Sequence, residues 1–265
     1  MEQQQTWRRE LPNYKQVALE IEDLPFQARE AINVLRGNIQ LSGANLKVIA
    51  ITSAVANEGK SSIAFRLTKS LAGLKKRTLY LDCDIRNSVT MSRYGMSGQV
   101  QGLTEFLCGA AAMNDIVYRT PDKYMDVILT GAVAPNPSEL VSGKLFTLLL
   151  DEMRKRYDYI IVDTPPINPV IDGTMIAKRC DGTVMVIESG QTDRMQAVRA
   201  KRQLEYAGIK LLGAVLNKVG AAKKGYGYGY GYGYGYGYGY GYGYGYGEKN
   251  QKRSGKKAGK KEAKD

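Results

Sequence analysis

The chain reads as an α/β protein built on a doubly wound, mostly parallel sheet with helices on both faces. Three observations predict this. Six short runs are apolar without alternation, as in strands covered on both sides. Helical stretches separate them. With 265 residues, 43% of them hydrophobic, one core of roughly 200 residues can form and leave room for tails.

Residues 1–25 mix Gln, Arg, Glu and two prolines without a sustained period and read as an N-terminal arm. The folded domain is expected over 26–220. Ala28, Ile32, Leu35 and Ile39 recur at helical spacing between Pro25 and Leu41, so an amphipathic helix precedes the core. The strand candidates are 46–52, 77–83, 125–131, 157–163, 183–189 and 210–217; helices are expected over 59–74, 138–156 and 193–208. After Val219 the composition breaks. Alternating Gly and Tyr from Gly225 to Gly247, then a lysine-rich end, offer no apolar face to bury, so residues 221–265 read as a disordered tail.

Composition removes several function classes. Histidine is absent, which excludes Ser-His-Asp, Cys-His and His-metal chemistry. Cys83, Cys108 and Cys180 stand far apart without C-x-x-C spacing, arguing against a disulfide framework or thiolate metal site and for a reducing cytoplasm. The polar start "MEQQQTWRRE" lacks the apolar core of a signal peptide, and no run of about 18 apolar residues occurs. Formal net charge is +12, and the stretch from Glu248 to Asp265 holds eight Lys/Arg against three acids. Such an end solubilises a chain or is drawn to anionic lipid; no motif supports nucleic acid.

"ITSAVANEGKSS" follows the first core strand and opens the next helix. It fits the phosphate-loop pattern G-x-x-x-x-G-K-[ST], with Ala54 in the place of the first glycine. Backbone N–H groups around Asn57, Glu58, Gly59, Lys60, Ser61 and Ser62 would wrap a nucleotide's phosphates, Lys60 would reach the terminal ones, and Ser61 would offer its hydroxyl to Mg²⁺. Asp82 and Asp84 in "LYLDCDIR" and Asp163 in "YIIVDTPP" lie just beyond two more strands. Strand carboxyl ends share one edge in an open parallel sheet, so these acids should gather beside the loop. Mg²⁺ takes oxygen ligands and needs only one or two carboxylates beside a hydroxyl and phosphates.

Together "ANEGKSS", "LYLDCDIR" and "IIVDTPP" resemble the Walker A, A′ and B motifs of the bacterial tyrosine kinases, P-loop enzymes that control capsular and exopolysaccharide production. "GLTEFL", "APNPSELV", "DGTVMVIESGQT" and "LGAVLNKV" extend the likeness over about Pro25 to Val219. The resemblance implies a cytoplasmic ATP- and Mg²⁺-dependent kinase. In it Lys60 and Ser61 hold the nucleotide, Asp82 accepts the tyrosine proton, and Asp84 and Asp163 complete the metal shell with Ser61, while Asn217 lies where related P-loop ATPases contact adenine. It also implies recruitment to the inner membrane face by a separate membrane protein whose cytoplasmic segment activates the kinase. Other protein substrates are open to it, and ring assembly would use Glu30 and Arg36.

Four positions depart from the family pattern. Ala54 and Asn57 make the loop less glycine-rich, Ser88 stands where proline is usual, and Asn33 replaces the middle arginine of E-x-x-R-x-x-R. An ATPase switch of the positioning or partition type is the competing enzyme. That group typically has a second lysine where this chain has Val55. A nucleotide-gated scaffold phosphorylated by another kinase is a further reading.

Eleven of the 19 tyrosines lie in the repeat: Tyr226, Tyr228, Tyr230, Tyr232, Tyr234, Tyr236, Tyr238, Tyr240, Tyr242, Tyr244 and Tyr246. Alternating Gly and Tyr can self-associate through stacked rings. Beside kinase motifs, the repeat reads as a substrate whose register does not matter. The last strand should end at the phosphate-loop edge, and a Gly-rich coil of this length spans about 25 Å. Each phosphate brings about −1.5 to −2 charges, so a few would cancel the basic end and loosen kinase contacts by repulsion.

Overall fold

A computed structural model describes residues 14–19, 23–95 and 100–220. Among these residues one sheet holds eight strands: β1 Lys15–Gln16, β2 Val48–Ser53, β3 Thr78–Asp82, β4 Val117–Arg119, β5 Met125–Ile128, β6 Tyr159–Asp163, β7 Gly182–Glu188 and β8 Leu211–Asn217. Their order is β1-β4-β5-β3-β6-β2-β7-β8. From β5 to β8 every neighbouring pair is parallel, while β4 runs antiparallel to β5. The doubly wound, mostly parallel fold is the one the apolar runs predict.

Every residue of β2, β3 and β5 is buried, which explains their continuous hydrophobicity. Side chains alternate between two cores. Helices α1 Phe26–Leu41 and α2 Lys60–Gly73 bring Ile32, Ile39, Phe65 and Leu67 onto Ile49, Ile51, Tyr80 and Ile161. On the other face, α4 Leu103–Leu107, α5 Pro137–Ser142 and α6 Lys144–Arg156 pack on Leu79, Leu81, Ile160 and Val162. Beside them α7 Asp172–Ala177 and α8 Arg194–Tyr206 cover Ala50 and Met185. The short α3, Thr90–Arg93, follows β3.

Two features fix where β2 delivers the phosphate loop. At its start, the Asp181 carboxylate accepts the Lys47 and Val48 N–H groups, both at 2.8 Å, and is itself forked by Arg154 at 2.8 Å through each nitrogen. At its end β2 lies between β6 and β7, whose partners hold Ile51 opposite Asp163 and Ser53 opposite Val186.

Four elements differ from the sequence reading. The helix expected over 138–156 is two helices, because Gly143 adopts ψ 164° and breaks the hydrogen-bond run. β4 is only three residues long, too short for a readable period. The arm is joined to the sheet at Lys15–Gln16, parallel to β4, and the Tyr14 ring is buried with its hydroxyl accepting from Arg156 at 2.7 Å. The edge strand β8 is half exposed, with Leu216 59% accessible, although its sequence is as apolar as that of the inner strands. The eleven repeat tyrosines lie outside the described residues.

Candidate active site

The C-terminal ends of β2, β3, β6 and β8 share one edge, and the predicted site residues meet there. The loop after β2 turns through two left-handed residues, Asn57 at φ +67° and Gly59 at φ +91°. Asparagine tolerates this region better than other side-chain-bearing residues, so it can hold this turn without being glycine. The Glu58 carboxylate is 1% exposed and turned inward: it accepts the Val55 N–H at 2.9 Å, the Glu188 N–H at 3.3 Å and the Thr192 hydroxyl. Its hydrogen bonds therefore shape the loop.

The Asn217 side-chain amide, at the end of β8, donates to the Glu58 carbonyl at 2.9 Å. A Cβ on Gly59 would lie 2.2 Å from that amide nitrogen. We expect Gly59→Ala to lose most nucleotide affinity and about 1–3 kcal/mol of stability, because alanine is strained at this φ and displaces Asn217. Paired thermal melts with and without Mg·ADP would show both losses; unchanged nucleotide protection would contradict this account of the loop.

Lys60 opens α2 beneath the loop, 9% exposed. Its ammonium is 2.8 Å from Asp84 Oδ2, 3.4 Å from the Ser61 hydroxyl and 3.9 Å from Asp163 Oδ1. Burial disfavours the charge, but Asp163, Asp84 and Asp82 outweigh it and hold the lysine pKa above its usual value. Ser62 follows on α2, and its hydroxyl accepts from Arg93 of α3.

Asp82 and Asp163 are register partners across β3 and β6, both within 1% of complete burial. Asp82 Oδ1 accepts the Asp84 N–H at 3.1 Å, and Oδ2 accepts the Ser88 hydroxyl at 2.6 Å. Burial raises its pKa, against the pull of the Ser88 hydroxyl and other hydrogen bonds. Asp163 Oδ2 accepts the Tyr80 hydroxyl at 3.0 Å, whereas Oδ1 is buried without a hydrogen-bond partner. Burial, opposed by Lys60 and reinforced by Asp82, pushes the Asp163 carboxyl up to about 6.

Among the described residues no three His, Cys, Asp or Glu converge to cage a metal on their own. Mg²⁺ needs only one or two carboxylates where phosphates supply further ligands. The orphaned Asp163 oxygen and the Ser61 hydroxyl are the oxygen donors such an ion would use, while Asp84 is paired with Lys60.

Glu30 and Arg36 sit elsewhere, on α1. Arg36 donates to the Ser70 carbonyl at 3.0 Å and hydroxyl at 2.7 Å, and Glu30 accepts from Asn33 at 2.9 Å. Both are thus engaged within their own chain. Sequence reasoning missed Tyr80, Thr192 and the Arg86–Asp172 pair, 2.5 Å apart, which ties the turn after Asp84 to α7. It marked Ser88 only as a departure from proline, without a partner.

The AAA domain family model matches residues 46–193. Over 201 residues the chain is 40% identical to the tyrosine-protein kinase CpsD of Streptococcus agalactiae, covering 76% of this chain and 88% of that protein. The kinase domain of the Escherichia coli tyrosine kinase ETK superimposes with TM-score 0.70 at 26% identity, over 81% of this chain and 94% of that domain. The chimerical protein CapA2B2 does so with TM-score 0.68 at 26% identity, over 82% and 98%. An identity of this size over nearly the whole of a kinase, with the phosphate loop and its carboxylates assembled at one sheet edge, shows more than a common fold. This chain belongs to the bacterial tyrosine kinases, and its enzyme class is that of a protein-tyrosine kinase.

Proposed function

We propose that the chain is an ATP- and Mg²⁺-dependent autokinase that phosphorylates the tyrosines of its own C-terminal repeat, in trans, and acts in capsular or exopolysaccharide synthesis. The observation that carries this reading is the meeting of Lys60, Ser61, Asp82, Asp84 and Asp163 beside a left-handed phosphate loop. In the transfer, the bond between the terminal phosphorus of ATP and the ADP oxygen breaks, a bond to the tyrosyl oxygen forms, and the phenolic proton leaves.

Lys60 supplies the cation for charge on the transferring group, and the loop N–H groups hold the phosphates. Ser61 and Asp163 would hold Mg²⁺, with Asp84 available once Lys60 turns to phosphate, and the ion would supply positive charge against the polyphosphate. Asp82 orients the phenol and takes its proton late. An ordinary carboxylate is a weak base for a phenol of pKa about 10, but a loose phosphoryl-transfer transition state needs little early proton removal. Asn217 holds the loop through the Glu58 carbonyl and would contact adenine.

No helix among the described residues is long and apolar enough to cross a membrane. A membrane protein's cytoplasmic segment would recruit and activate the kinase at the inner membrane face, and the chain is similar to a chimerical protein, CapA2B2. Assembly through Glu30 and Arg36 would require these side chains to leave their present intrachain partners.

Replacing the eleven repeat tyrosines by phenylalanine tests the substrate. The expected result is loss of ATP-dependent phosphotyrosine with Mg·ADP affinity unchanged. Phosphotyrosine persisting at the original level would place the acceptor elsewhere.

A further inference from the structure

Two consecutive residues at the end of β8 grip two consecutive carbonyls of the phosphate loop. Asn217 donates to the Glu58 carbonyl at 2.9 Å, and the Lys218 ammonium donates to the Asn57 carbonyl at 2.8 Å. Lys218 is itself steadied by Glu188 Oε2 at 2.7 Å. The Glu188 N–H donates to the Glu58 carboxylate, and the Ser189 N–H to the Asn217 carbonyl at 2.9 Å. The segment after β7, the end of β8 and the phosphate loop are therefore one closed set of hydrogen bonds.

This grip has a directional consequence. A trans peptide is planar, with its C=O and the following N–H pointing in opposite directions. Holding the carbonyls of Asn57 and Glu58 from the β8 side therefore turns the N–H groups of Glu58 and Gly59 away from it. Neither N–H makes a hydrogen bond among the described residues. Consecutive free N–H groups in a left-handed turn form an anion-binding concavity.

The grip also compensates for a residue choice. Asn57 is left-handed without being glycine, and Lys218, likewise left-handed at φ +58°, presents the ammonium that holds its carbonyl. We propose that Lys218 is a positioning residue for the phosphate loop: anchored by Glu188, it fixes the Asn57–Glu58 peptide so that the Glu58 N–H faces the nucleotide's phosphates. The proposal rests on the reading of this loop as the nucleotide site. It also places a loop-holding residue seven positions before the Gly-Tyr repeat begins at Gly225.

Calorimetric titration of the full chain with Mg·ADP tests it, using Lys218→Ala, Lys218→Arg, Asn57→Gly and Asn57→Gly/Lys218→Ala. Lys218→Ala should weaken binding about 5-fold, as expected for loss of a partly exposed charged hydrogen bond. Its nucleotide-free melting temperature should stay within about 2 °C of the unsubstituted chain. Lys218→Arg, which keeps the donor, should restore most of the affinity.

In the Asn57→Gly background residue 57 reaches its left-handed turn unaided, so the same alanine should cost about 2-fold or less. Equal losses in both backgrounds would mean that Lys218 acts on the phosphates by its charge alone, and would overturn the positioning role. Unchanged affinity in Lys218→Ala would do the same. Failure of the unsubstituted chain to bind Mg·ADP would overturn the nucleotide reading and this proposal together.

Discussion

Lys60→Met is expected to lower tyrosine phosphorylation on the order of 10³-fold or more, an effect of the size seen when a cation on a transferring phosphoryl group is removed. The structure adds a second consequence. Lys60 is the cation that meets Asp84 and Asp163, so methionine leaves buried carboxylates without it. Breaking a buried pair from one side is strongly destabilising, and here the loss should be about 2–4 kcal/mol at pH 8. At pH 5 it should shrink, because a carboxyl pushed up to about 6 can take a proton instead. Phosphotyrosine yield and thermal melts at both pH values check the pair of effects. Full activity would refute the role of Lys60, and identical destabilisation at both pH values would refute its electrostatic account.

Asp163→Asn is expected to move activity and stability in opposite directions. A carboxyl that rises from 3.8 to about 6 on folding is penalised by about 3 kcal/mol once ionised. The folded state binds this proton more tightly than the unfolded chain. Its contribution is therefore present below about pH 4 and is lost as the pH climbs to about 6. Asparagine cannot ionise and can still accept from Tyr80. The substituted protein, free of nucleotide, should gain about 2–3 kcal/mol at pH 8, or about 5–10 °C in melting temperature, and nothing near pH 4. Phosphotransfer should fall about 100-fold or more, since the orphaned oxygen that suits Mg²⁺ is replaced or neutralised. Melts across pH 4–8 beside a kinase assay would decide it; a pH-independent gain, or none, would remove the buried carboxylate as the cause. A site that is destabilising when empty is what a strained functional centre predicts.

The parts of the site legible in the sequence are those that follow strand ends. Lys60, Ser61, Asp82, Asp84 and Asp163 could be placed together because a parallel sheet brings such ends to one edge, whatever the intervening chain does. Contacts made only by tertiary folding were not legible. Tyr80 sits in a strand run where it reads as one more apolar residue, yet its hydroxyl reaches Asp163. Glu58 belongs to the phosphate motif by position, but its carboxylate serves Val55 and Thr192.

Elements failed for similar reasons. A two-residue strand such as β1 has no period, and its place depends on a buried tyrosine finding Arg156. Gly143 inside a helical pattern is tolerated in many helices and breaks this one. β8 is as apolar as the inner strands, and only its edge position explains its exposure.

On the reading proposed above, this site phosphorylates the chain's own tyrosine repeat. Intact mass spectrometry of the purified chain with ATP and Mg²⁺ tests it most directly, with and without a membrane partner's cytoplasmic segment and beside Lys60→Met. The expected result is a series of phosphoryl-mass steps that maps to the peptide carrying Tyr226–Tyr246 and is absent from the substituted protein. An unchanged mass while ATP is turned over, with the segment present, would contradict it and make the chain an ATPase switch.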